Sequence, residues 1–205
     1  MNQDDLCLLL RGLTPVEWLA RREAFYARAF GPLRQPAVYH FEDDGHPHID
    51  VYVIAPTPAR PHLTLVTGGM ADRAQPVRPS IPPRIEILTD TEAGEADLSR
   101  LALSLRELAS LPFLHGVHLA PGVLVRGSRP ILSGSTLSHA ALTADVTPAE
   151  PFLVDGGEEV RFLLVEFVAE SELAHGVAHG GDRLAALLRE KDVSPVLRPA
   201  RPAVV

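Results

Sequence analysis

Ile49-Asp50-Val51-Tyr52-Val53-Ile54, a turn carrying Pro56, Pro58 and Pro61, then Leu63-Thr64-Leu65-Val66-Thr67-Gly68-Gly69-Met70: the reading of this stretch decides the fold. Both apolar runs are short, rich in β-branched residues and bounded by breakers, the pattern of neighbouring strands in a buried sheet. The second run ends on two glycines, which let the backbone take positive φ or approach another segment closely. No Lys-Ser or Lys-Thr follows them, and Pro76 breaks any helix that would supply a dipole, so they are not a phosphate loop. A tight turn at a strand end is the expectation.

Upstream, Ala37 to Phe41 reads as a short strand joined to this one through Glu42-Asp43-Asp44-Gly45, whose Asp-Gly pair favours a hairpin. Thr14-Pro15-Val16-Glu17 carries an N-cap, a proline at the first helical position and a capping-box glutamate. The helix it starts should run to Phe30 with Trp18, Arg22, Phe25 and Ala29 on one stripe. Downstream, Pro76, Pro79, Pro82 and Pro83 make Ala71 to Pro83 an extended loop. Arg84 to Thr89 then reads as a strand with Ile85 and Ile87 on one face and Glu86 and Leu88 on the other.

Leu98, Leu101, Leu105 and Leu108 predict a helix over Glu95 to Ser110, ended by Pro112. Glycines and prolines punctuate Phe113 to Gly134, with a short strand near Val123 to Val125. Leu137 to Val146 and Val160 to Val168 are strands, the second apolar from Phe162 onward except for Glu166 and therefore central. Ser171 to Val177 and Asp182 to Lys191 are helical pieces parted by Gly180-Gly181. Strands in runs, broken by few helices, indicate an α+β fold: one mixed, mostly antiparallel sheet flanked by helices. A single domain over 14–193 is expected, with 1–13 as a mobile N-terminal segment and 194–205 as a Pro-rich extended tail.

A chain of 205 residues with a net charge of −7 buries an ample core and is a poor match for nucleic acid, whose phosphates select clustered Lys and Arg. The lone Cys7 excludes an internal disulfide or a multi-cysteine zinc site and fits a reducing compartment, so a cytoplasmic location is expected. Asp4 and Asp5 stand where a signal peptide would be basic, and no apolar run is long enough to span a membrane.

The order of these pieces resembles the suppressor of fused domain. The likeness rests on His48-Ile49-Asp50-Val51-Tyr52-Val53-Ile54 and Leu63 to Met70, with its Thr-x-Gly-Met-like turn. It also rests on Arg84-Ile85-Glu86-Ile87-Leu88, Pro130-Ile131-Leu132-Ser133-Gly134-Ser135 and the helix start Glu170-Ser171-Glu172-Leu173. It spans about Leu33 to Arg198, and Ala71 departs from it where a small polar residue is expected. The resemblance implies a mixed sheet with flanking helices and protein binding without catalysis or cofactor. For bacterial relatives it implies an immunity protein whose partner is a toxin.

Three histidine groups invite metal chemistry: His46 with His48 and Asp50, His115 with His118, and Glu172 with His175 and His179. His175 and His179 share a helix face, but Gly176 weakens that helix and no His-Glu-x-x-His frame is present. His48 and Asp50 alternate onto one face and could form an acid/base pair, though no Gly-x-Ser-x-Gly nucleophile accompanies them. The alternative to a binding module is therefore a metal-dependent hydrolase using His46, His48 and Asp50 or the His175 pair, and the plainer reading is surface histidines with no metal. For partner binding, the expected rim is Met70, Asp72 and Arg73 in the Pro-rich loop together with the acidic turn Glu42, Asp43 and Asp44. A second acidic set, Asp155, Glu158 and Glu159, would add to a negative rim for a basic partner if it shared that edge.

Overall fold

A computed structural model describes residues 14–40, 47–76, 81–154, 157–193 and 195–205, excepting the side chains of 35–37. Its strands are β1 (Leu33–Tyr39), β2 (Asp50–Ile54), β3 (Leu63–Gly68), β4 (Ile85–Thr91), β5 (Leu124–Val125), β6 (His139–Val146), β7 (Phe152–Leu153), β8 (Glu159–Val168) and β9 (Val196–Leu197). Its helices are α1 (Pro15–Ala29), α2 (Glu95–His115), α3 (Glu170–His179) and α4 (Gly181–Glu190), with a 3-10 turn at Met70–Asp72.

Seven strands run in the order β1-β2-β3-β4-β8-β6-β5, antiparallel except for β4 beside β8. This is the expected mixed, mostly antiparallel α+β sheet. The Pro-punctuated pair quoted first are adjacent antiparallel strands, with Asp50 opposite Gly68 and Ile54 opposite Thr64. β8 is interior, as its apolar run requires.

Alternation divides the sheet into two faces. One carries Val51, Val53, Leu65, Ile85, Ile87, Leu163 and Val165 against Leu98, Leu101, Leu105 and Leu108 of α2. The other carries Tyr52, Ile54, Val66, Leu88, Phe162 and Leu164 against Trp18, Phe25, Tyr26 and Phe30 of α1 and its C-cap. Farther along that second face, Ala141 and Val168 pack on Leu173, Leu184 and Leu188 of α3 and α4. Leu105 is fully buried in the α2 layer, so Leu105→Ala is expected to cost about 3 kcal/mol in a denaturant melt. An unchanged midpoint would mean α2 is not docked.

The α1 capping box forms as read: Glu17 N donates to Thr14 Oγ1 and Thr14 N donates to the Glu17 carboxylate. Tyr26, absent from the predicted stripe, is the most buried aromatic residue of α1. β1 begins at Leu33 rather than Ala37, because an irregular register between Leu33 and Val38 accommodates Pro36 in an outer strand. The acidic hairpin turn lies outside the described residues. α2 runs through Pro112 to His115 and stops at Gly116, whose left-handed φ of 64° ends the helix. Proline forbids only its own N–H bond and crowds the preceding turn; here Pro112 is itself buried in the core, and burial outweighs the local cost. β7 was not foreseen, being two residues long. Within the Pro-rich tail, residues 196–197 form β9 parallel to the end of β4.

Candidate binding surface

The turn after β3 rests on a buried polar hub. Gly69 has φ of 111°, and a Cβ there would stand 2.1 Å from His48 O, so the position needs glycine for both reasons. The turn directs the Gly69 and Ala71 N–H groups onto Glu86 Oε1, each at 3.0 Å, while Thr67 Oγ1 donates to Glu86 Oε2 at 2.7 Å. Burial pushes the Glu86 carboxyl up to about 6, against the opposing pull of the Arg22 guanidinium and these donors. Arg22, itself buried on α1, grips both oxygens of Asp72 at 2.6 and 2.7 Å, and Trp18 Nε1 donates to Asp72 Oδ1 at 2.9 Å. Arg84 Nη1 donates to the carbonyls of Ala71 and Asp72. Gln75 ties the next residues to Leu119 through hydrogen bonds in both directions.

These contacts sort the residues expected at the rim. Met70 is 1% exposed and belongs to the α2-side core, so it offers no apolar contact to a partner. Its place two residues after β3 looked like a loop tip because the 3-10 turn that folds it inward leaves no periodic signal. Asp72 is committed to Arg22 and Trp18. Arg73 is exposed, with its guanidinium 5.9 Å from the Phe113 ring centre. Glu42, Asp43 and Asp44 lie outside the described residues.

The pairing registers gather three connections at one end of the sheet: 40–49, 69–84 and 147–158. Glu159 opens β8 at that end with Glu158 just before it, both exposed, Glu158 meeting Arg84 Nε at 2.6 Å. Leu153 is 37% exposed there, and α1, tied to it by Arg21 donating to Leu153 O, exposes Val16 and Leu19.

The histidine groups separate. His40 Nδ1 and His48 Nε2 each lie 3.0 Å from Asp50 Oδ1 and 3.2 Å from one another. His40 was missed because eight residues part it from His48 in sequence, and only the β1–β2 pairing closes the gap. His46 is outside the described residues. The His175 and His179 rings are 4.5 Å apart on α3, with no third donor beside them among the described residues.

A cleft of about 400 Å³ between α2, β5 and β6 is lined by Ser138 and His139, and Glu170 beside it completes a Ser-His-Glu set. His139 Nε2 meets Glu170 Oε2 at 2.7 Å and Ser138 Oγ at 3.1 Å, while His139 Nδ1 accepts the Gly127 N–H at 3.0 Å. A serine relay needs hydroxyl and carboxylate on opposite ring nitrogens. Here both share one nitrogen, so the set is an anchor for the 126–128 backbone and not a nucleophile. No helix among the described residues is long and apolar enough to cross a membrane.

Residues 45–202 match the family model described as suppressor of fused protein. The putative suppressor of fused homologue of Neisseria gonorrhoeae shares the fold with a TM-score of 0.63 at 14% identity, over 92% of this chain and 94% of that one. The protein in the Sufu–Fu complex matches with a TM-score of 0.59 at 13% identity, over 91% of this chain and 90% of that one. Drosophila Suppressor of Fused matches with a TM-score of 0.56 at 14% identity, over 76% of this chain but 42% of its own length. No curated protein matches the sequence.

Proposed function

The chain belongs to the suppressor of fused family, and from that footing we propose a non-enzymatic protein-binding module that docks its partner at one end of the sheet. Within that class the reading is a bacterial, cytoplasmic immunity protein that neutralises a toxin by holding it. One observation carries the docking site: the connections 40–49, 69–84 and 147–158 leave the sheet together, and both acidic runs of the sequence fall in or beside them. Among the described residues the surface combines Glu158 and Glu159, the exposed Arg73, and the apolar Val16, Leu19 and Leu153; Glu42, Asp43 and Asp44, expected from the sequence to join it, lie outside the described residues. That mixture of apolar contact inside an acidic rim suits a basic protein surface. The complex of Sufu with Fu shows that a protein of this fold binds another protein.

The test is co-expression with the product of a neighbouring gene encoding a toxin, with growth and complex formation as readouts. The native chain is expected to restore growth. Glu159→Lys, in a variant whose melt is native, should weaken the complex at least about tenfold, as an acidic group facing a basic partner is replaced by a like charge. Unchanged affinity would remove this surface. Failure of the native chain to bind or protect would remove the immunity reading.

A further inference from the structure

We propose that His40 Nδ1, His48 Nε2 and Asp50 Oδ1 form a zinc site at the mouth of the β1–β2 hairpin, independently of any partner. The three atoms make a nearly equilateral triangle, with edges of 3.0, 3.0 and 3.2 Å. Tetrahedral zinc, with ligands at about 2.0–2.1 Å, holds its donor atoms about 3.3 Å apart. One ion above the triangle would reach all three with shifts of a few tenths of an ångström.

Protons alone serve this triangle badly. If both ring nitrogens carry hydrogen, each can donate to Asp50, but the two N–H groups then confront one another at 3.2 Å. If one nitrogen is bare, its lone pair faces the carboxylate oxygen at 3.0 Å. A divalent cation accepts all three lone pairs at once. Two imidazoles and one carboxylate are the ligand set of zinc and its transition-metal neighbours, not of magnesium or calcium, which prefer all-oxygen shells. The backbone supports the arrangement. Asp50 is the first residue of β2 and its side chain is 13% exposed, whereas His40 follows the last residue of β1, so the ion would clip the two strands where their connection begins. Three protein ligands leave the fourth position to water.

The experiment uses the full chain without an affinity tag, stripped by chelator and titrated with Zn²⁺ by calorimetry and with Co²⁺ by visible absorption. One ion per chain is expected, with the intense visible bands of tetrahedral cobalt and a melting temperature raised by zinc. His40→Gln and His48→Gln should each weaken binding at least about 100-fold, and the paired variant His175→Gln/His179→Gln should bind as the native chain does. His40 has a 61% exposed side chain, so His40→Gln keeps the fold, and its melt in chelator checks this. The proposal is overturned if the native chain shows no saturable one-to-one binding. It is equally overturned if both single variants lose less than about tenfold, or if the His175/His179 variant loses the ion.

Discussion

Glu86→Ala is expected to destabilise the fold by on the order of 5 kcal/mol, the largest effect of any single substitution considered. The carboxylate is 0% exposed and receives the Gly69 N–H, the Ala71 N–H and the Thr67 hydroxyl. Alanine strands two backbone donors in the interior, each costing about 1–3 kcal/mol, and withdraws a negative charge from beside Arg22. The turn that puts Gly69 against His48 O would lose its anchor with them. Glu86→Gln keeps the Oε1 acceptor and should cost far less. The pair also carries a pH signature. Because the carboxyl is raised from 4.5 to about 6 in the fold, the native state holds this proton more tightly than the unfolded chain does. Its contribution is fully present below pH 4.5 and is lost as pH rises through 6, a change of about 2 kcal/mol. Glutamine does not titrate, so the stability difference between native chain and Glu86→Gln should shift by that amount across the window. Urea melts at several pH values read it; a constant difference would show that Glu86 does not titrate as described.

Arg201→Ala is expected to cost about 4 kcal/mol, although it lies in a Pro-rich tail. Arg201 Nη1 and Nη2 meet the two oxygens of Glu172 at 2.7 and 2.9 Å, and Nη2 also donates to Phe167 O. Glu172 is 0% exposed and additionally accepts the N–H of Ala169, which caps α3, and of Val204. Removing the guanidinium leaves a carboxylate buried without its counter-ion, the costly way to break such a pair. The double variant Arg201→Met/Glu172→Met removes both charges and should recover much of the loss. If Arg201→Ala melts like the native chain, the tail is not part of the fold's stability.

The sheet was legible because β2 and β3 are β-branched runs ended by Pro or Gly, β4 alternates apolar residues after a Pro-rich loop, β8 is a long apolar run, and α2 repeats leucine at three and four. Two-residue strands such as β7 and β9 have no period to read. The tail looked loose because Pro195, Pro199 and Pro202 are breakers locally, while its hold is long-range, through Arg201. The candidate surface was half legible. Acidic runs are visible in composition, but whether Met70 and Asp72 point outward depends on a 3-10 turn and on Arg22, 50 residues away from Asp72. His48 and Asp50 stand two residues apart at the entry to β2 and could be paired by counting; His40 could not, since it joins them across the β1–β2 register.

β4 changes neighbours along its length: β8 flanks Ile85 to Leu88, and β9 then takes over beside Asp90 and Thr91. The Thr91 hydroxyl reaches Leu197 O across 106 residues of sequence. Loops that long must close before the middle of the sheet gains anything, which places refolding at the slow end, milliseconds to seconds, for domains of this size. The hairpin-linked β1 to β4 can assemble first. Until β8 and β9 arrive, β4 waits with one edge unsatisfied, and that interval is when this chain is most open to pairing with the wrong strand.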